Sequence, residues 1–147
     1  MIGVFIDTSV IFSACLSKTG ASALLLGYCR KGKIKGYISK YVLSELKRNA
    51  VLKLDSVGKQ RLNFYILQTS LNIVENPSIE EIQFCQKVIN PKDAPILAVA
   101  LKSKVDYLVT FNTKDFLLPS VRSFAKPLKI CTPRDLIFRM FPHKPLK

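Results

Sequence analysis

Apolar positions along this chain fall into short unbroken runs that alternate with stretches of helical spacing. Residues 2–6 (Ile-Gly-Val-Phe-Ile) form a run that stops at Asp7, the pattern of a short buried strand. Helical spacing follows through Val10–Ala14 and again through Ala21–Arg30, ending at Lys31-Gly32. Lys35–Ser39 reads as a second strand. Ser39 then caps a helix whose apolar stripe includes Val42, Leu43, Leu46 and Ala50. A helix over roughly 56–69 places Leu62, Tyr65, Ile66 and Thr69 on one side, and Leu71–Val74 forms a third strand.

Ser78 and Glu81 have capping-box spacing and open a helix to about Val88. Asp93 precedes the most apolar helix, 94–101, with Pro95 in its first turn, where proline is tolerated. Tyr107–Thr110 and Leu128–Cys131 are the fourth and fifth strands, and Thr132–Asp135 starts a last helix to about Met140. The alternation predicts an α/β fold, three layers α/β/α around a mainly parallel sheet of about five strands.

Length and composition narrow the class. The 147 residues are 48% hydrophobic, enough for one packed core and too apolar for disorder. No repeat, low-complexity tract or linker interrupts residues 1–141, read as a single domain, and 142–147 form a short basic tail. Twenty-three Lys and Arg against ten Asp and Glu give a formal net charge of +13, which favours a polyanion or an acidic protein as partner. Asp7 stands where a signal peptide would carry basic residues, and Gly20, Gly27 and several Ser, Thr and Cys make 8–29 too polar and broken for a membrane span. No membrane partner is expected. Cys15, Cys29, Cys85 and Cys131 are scattered, with a lone His143, so zinc is disfavoured and buried thiols in a reducing cytoplasm are expected.

Against this charge the scarce acids stand out, and their positions sort them. Glu81 and Asp135 lie three residues after Ser78 and Thr132, as capping partners, and Glu80 shares the same first turn. Asp55 precedes a helix as its cap, Asp106 lies before its strand, and Glu75 leads into an ordinary Asn76-Pro77 turn. Four acids are left for chemistry. Asp7 ends the first strand, either as a helix cap or as a site residue. Glu45 falls roughly 60° off the edge of the Val42–Leu46 stripe. Asp93 opens the apolar helix, and Asp115 follows the fourth strand with Asn112. There Asn112 could cap a helix with Asp115 at its third position.

If the first and fourth strands are neighbours, these acids converge on one crevice. Two carboxylates about 4 Å apart repel by about 4 kcal/mol at an effective dielectric of 20. Three or four must therefore protonate or hold a cation. Oxygen-only ligands suit Mg²⁺ or Mn²⁺, which clamp phosphate oxygens and lower the pKa of an attacking water.

Ile6-Asp7-Thr8-Ser9, Leu43-Ser-Glu45-Leu, Pro91-Lys-Asp93-Ala-Pro-Ile-Leu-Ala-Val-Ala-Leu101 and Asp106-Tyr-Leu-Val-Thr110-Phe-Asn112-Thr-Lys-Asp115-Phe116 resemble the PIN-domain ribonucleases. The similarity runs from residue 2 to about 138, and Thr132-Pro-Arg-Asp-Leu-Ile137 is similar to the ending of the single-domain prokaryotic VapC-like toxin subgroup. The resemblance implies a PIN-like parallel sheet, a Mg²⁺- or Mn²⁺-dependent endoribonuclease, a small antitoxin protein as partner and a homodimer. It maps metal-binding and catalytic roles onto Asp7, Glu45 and Asp93, and supporting hydroxyls onto Ser9 and Thr110. Many members carry an acid where this chain has Asn112. Asp115 is then expected to supply the fourth charge, with Asn112 a metal contact through its carbonyl or through water.

The expected reaction is phosphodiester hydrolysis of RNA. Lys114, Lys47, Arg48 and Lys33 are the expected phosphate contacts, with Arg30, Lys31 and Lys35 further candidates. The alternative is a catalytically weak module that binds RNA or protein, which Asn112 keeps open. A dinucleotide enzyme is disfavoured because Asp7-Thr-Ser-Val-Ile-Phe contains no G-x-G-x-x-G. Ser9 stands where an aspartyl-phosphate phosphatase would carry its second Asp.

Overall fold

In a computed structural model that describes residues 1–142, five strands line up in the order β3-β2-β1-β4-β5. They are β1 (Gly3–Ile6), β2 (Lys35–Ser39), β3 (Asn72–Val74), β4 (Tyr107–Val109) and β5 (Lys129–Cys131), and every pairing is parallel. The expected basic tail, apart from Pro142, lies outside the described residues. β1 is central, and Val4, Phe5 and Ile6 are fully buried, which is why its sequence runs apolar instead of alternating. Gly36 of β2 fits a tight place: a Cβ there would stand 2.8 Å from Leu71 and 3.0 Å from Cys29.

The helices are α1 (Thr8–Leu16), α2 (Ala21–Arg30), α3 (Lys40–Lys53), α4 (Ser56–Gln68), α5 (Ile79–Cys85), α6 (Ala94–Lys102), α7 (Thr113–Phe116), α8 (Pro119–Ala125) and α9 (Pro133–Met140). Right-handed crossovers send α1–α4 to one face as the chain moves from β1 to β3, and α5–α8 to the other as it returns to β4 and β5. The packing agrees: α1 meets α2, α3 and α4, α9 lies on α2, and α5 packs against α6, which covers β4. The result is the expected α/β architecture.

Most caps fall where the acids predict them. Ser39 accepts from the Val42 N–H, Asp55 from Gly58, and Ser78 and Glu81 exchange both bonds of a capping box. Thr132 accepts from the Asp135 N–H, but the Asp135 side chain returns no bond, so the capping box expected there is only half formed. Asp106 accepts from the Gly3 N–H at 2.8 Å, tying β1 to the start of β4. Glu75 pairs with Lys40 at the surface. β3, β4 and β5 are each one residue shorter than expected, and the larger differences are in the helices. α1 starts at Thr8 and ends at Leu16, α5 stops at Cys85 and decays into turns, and the stretch between β4 and β5 holds α7 and α8. All four cysteines are free and buried, and burial pushes Cys29 up to about 12 and Cys15, Cys85 and Cys131 up to about 11. They are packing groups, as the sequence implies.

Among the described residues no single helix is long and apolar enough to cross a membrane. α1 and α2 together have the length and composition but meet at a 103° bend.

Candidate active site at the sheet switch point

From β1 the chain steps outward to β2 and β3, then returns to place β4 on the other side of β1. The crevice beyond the carboxyl ends of β1 and β4 lies at this reversal, where open α/β sheets bind ligands. Asp7 is the first residue past β1, and its N–H donates to the Val109 carbonyl of β4 at 3.1 Å. The backbone thus fixes the carboxylate between the two strands.

Three donors hold that carboxylate. Asp7 Oδ1 accepts from the Thr8 N–H at 2.8 Å, while Oδ2 accepts from the Thr110 hydroxyl at 2.7 Å and, more weakly, from the Ser9 hydroxyl at 3.4 Å. The same two hydroxyls accept from the next loop: Ser9 Oγ from the Phe111 N–H at 3.4 Å, and Thr110 Oγ1 from the Asn112 N–H at 3.0 Å. Ser9 and Thr110 therefore support Asp7 and tie it to Asn112. Asp7 does cap α1, but only through the adjacent Thr8 N–H to Oδ1, while Oδ2 is held by Thr110 and Ser9 rather than by the helix.

Burial pushes the Asp7 carboxyl above the ordinary carboxylate range. The bonds from Thr110 and Thr8 pull it back, and the nearby charges of Glu45 and Asp93 push it further up. Glu45, from α3, accepts from the Thr8 hydroxyl. Asp93 makes no side-chain cap to α6. Its carboxylate accepts from the Asn90 amide at 2.8 Å and its N–H donates back at 3.0 Å, a reciprocal pair that fixes the turn before the helix.

Asp7, Glu45, Asp93, Ser9 and Asn112 line one cavity of about 380 Å³. Asn112 does not cap α7, which leaves its amide free to face this space. Asp115, the residue expected to supply the fourth charge, sits in the first turn of α7 and does not line the cavity. The expected phosphate contacts are also elsewhere. Lys114, Lys47 and Arg48 are exposed away from the lining, and Lys33 precedes β2 at the opposite end of the strands. The cations that do line it are Lys53 and Lys92, with Asn49, Tyr41 and Phe12. Glu45, Asn49 and Lys53 repeat every four residues on α3, a spacing that puts them on one helix face and could have identified the second and third from the first. Lys92 adjoins Asp93.

Among the described residues no group of three or more His, Cys, Asp and Glu side chains is gathered closely enough to hold a metal ion alone. The donors ring a cavity rather than a point. That spread, and the all-oxygen donor set, fit Mg²⁺ or Mn²⁺ better than zinc. Mg²⁺ keeps several waters and is usually held by one or two carboxylates plus substrate phosphate.

Residues 3–114 match the model of the PIN domain family. A comparison with curated proteins finds no match. Among solved structures, the crystal structure of PAE2754 from Pyrobaculum aerophilum is similar in fold, with a TM-score of 0.62 and 16% identity over 97% of this chain and 91% of that one. The family match runs from β1 to the start of α7 and takes in Asp7, Glu45, Asp93, Thr110 and Asn112; the chain belongs to the PIN domain family, whose members are generally nucleases.

Proposed function

We propose that this protein is a Mg²⁺- or Mn²⁺-dependent endoribonuclease that hydrolyses RNA phosphodiester bonds, acting as the toxin component of a toxin–antitoxin pair. One observation carries the hydrolytic reading. In a chain of net charge +13, three of ten acids face a single cavity at the switch point of a nuclease-family fold.

Asp7, Glu45 and Asp93 would hold the ion directly or through water, with the Asn112 carbonyl as a neutral fourth oxygen. The bound ion supplies a water of lowered pKa and neutralises charge on the scissile phosphate. Thr110 and Ser9 aim the Asp7 carboxylate, Asn90 aims Asp93, and Thr8 aims Glu45. Lys53 and Lys92 place positive charge on the same cavity wall, where they would bind the phosphates on either side of the cut. Lys114, Lys47, Arg48 and Lys33 belong in this reading only as distant contributors to the field that draws RNA in.

The toxin role, the small antitoxin partner and the homodimer follow from the sequence resemblance, and the cytoplasmic location from the scattered cysteines. Free buried thiols suit that location. Leu67 on α4 and Val51 and Leu52 on α3 are about three-quarters exposed, apolar surface of the kind a protein partner covers. Asn112 supports a second reading, a catalytically weak module that binds RNA without cutting, because it puts a neutral amide where a fourth charge would strengthen ion binding.

The test is incubation of purified protein with RNA and Mn²⁺ beside Asp7→Asn and Asp93→Asn prepared identically. Cleavage by the wild type alone supports the nuclease. RNA binding by the wild type without cleavage supports the second reading. Equal degradation by all three proteins would mark a contaminant and overturn the assignment.

A further inference from the structure

A second cavity, of about 800 Å³, lies apart from the acid-lined one. It lies along β5, the outer strand of the sheet, between α8 and α9. Its floor is Pro127, Leu128 and Ile130, and its rim is Arg122, Lys126, Lys129 and Arg139. No acid lines it, and both ion pairs formed among the described residues lie elsewhere, at Lys40–Glu75 and Lys102–Glu81. Lys129 and Arg139 both stand over the Tyr107 ring, at 5.8 and 6.0 Å from its centroid, so two of the four cations are already positioned.

The backbone adds a second feature. Lys129 donates its N–H to Asp106, and the Cys131 carbonyl accepts from Thr110, which turns both residues toward β4. Strand alternation then points the Ile130 N–H and C=O to the open edge. Lysine and proline on an edge strand discourage pairing with an identical chain. Here they would repel a second copy of a chain of net charge +13, and equally the basic residues 143–147, while attracting an acidic strand.

We propose that this groove docks an extended acidic segment of a partner protein, with alternate apolar side chains on the Leu128–Ile130 floor and alternate carboxylates on the basic rim. Charge complementarity selects an anion. The apolar floor, and a lining without any aromatic side chain, select peptide over single-stranded RNA, whose bases need ring faces to stack on. The groove begins beside Pro127 and Lys129 at the amino-terminal side of the sheet, away from the crevice beyond the carboxyl ends. Occupying it leaves the acid-lined cavity open. The proposal is independent of the nuclease reading, because its readout is binding.

Fluorescence anisotropy with a labelled octapeptide of alternating glutamate and valine tests it on the full chain. The peptide is expected to bind, more weakly as salt rises, and to lose at least about tenfold in affinity against Arg122→Glu with Lys129→Glu. A lysine–valine octapeptide should not bind, and N-methylation of alternate amides should weaken the acidic one by removing strand pairing. Circular dichroism of the double variant checks that it is folded. An oligouridine probe that binds in place of the peptide and is lost in the same variant would make the groove a nucleic-acid surface and overturn the proposal. Peptide affinity unchanged by the double variant, or no peptide binding, would also overturn it.

Discussion

The Thr110 hydroxyl reaches across 103 positions of sequence to donate to Asp7 Oδ2 at 2.7 Å, joining the ends of two neighbouring central strands through one side-chain bond. Thr110 Oγ1 in turn accepts from the Asn112 N–H, so one hydroxyl sets both the carboxylate and the loop that brings Asn112 to the cavity. Thr110→Val keeps the shape and removes both bonds. It leaves the part-buried Asp7 Oδ2 with only the weak Ser9 bond and the Asn112 N–H without its acceptor, at a cost of about 1–3 kcal/mol. For a chain of this size that is a fall in Tm of about 2–4 °C per kcal/mol, read by thermal denaturation. An unchanged Tm would show that water replaces the hydroxyl freely.

The raised Asp7 carboxyl has a definite sign for stability. Its folded pKa lies above its unfolded value, so the unfolded chain holds the ionised form more easily. In metal-free protein this group favours the fold at low pH, and that contribution is lost as pH rises from the ordinary carboxylate range through the elevated value. Asp7→Asn should raise the Tm of metal-free protein at neutral pH and flatten its pH dependence over that window. A Tm that falls on substitution would mean that the charged form is net favourable in the fold.

Asn112→Asp places a fourth carboxylate on the cavity wall. Divalent-ion affinity should rise and metal-free stability should drop, because like charges in one cavity repel. Asp115→Asn, outside the lining, should change neither. Parallel Mn²⁺ titrations and melting curves separate the two substitutions, and the opposite pattern would return the fourth charge to Asp115.

Lys53→Ala and Lys92→Ala should each weaken RNA binding across sequences and flatten the salt dependence by about 0.7 in log–log slope, the contribution of one single-strand phosphate contact. Lys33→Ala, at the far end of the strands, should leave the slope nearly unchanged. Anisotropy across a salt series measures all three.

Much of this was legible in the sequence for physical reasons. Strands buried on both faces leave unbroken apolar runs, and caps leave Ser, Thr and Asp at fixed offsets, so β1, the caps of α3 and α5, and the structural roles of Asp55, Glu81 and Asp106 could be read directly. Glu45 lies just off the edge of its apolar stripe, a position from which a side chain can face a cleft beside the core. α8 was hidden because only Val121 and Ala125 are buried in its seven residues, too short a signal for periodicity. Asp115 and Asn112 could not be separated by spacing from β4, since a single turn of helix decides which faces the cavity. Lys53 and Lys92 were lost among 23 cations because charge alone does not tell which way a long side chain points.

The central claim is that Asp7, Glu45, Asp93 and Asn112 together form a divalent-ion centre. Titration of metal-free protein with Mn²⁺, followed by electron paramagnetic resonance, tests it most directly. Saturable binding by the wild type that is lost or weakened at least about tenfold in both Asp7→Asn and Asp93→Asn is the predicted result. No saturable binding, or equal binding by all three proteins, would contradict it.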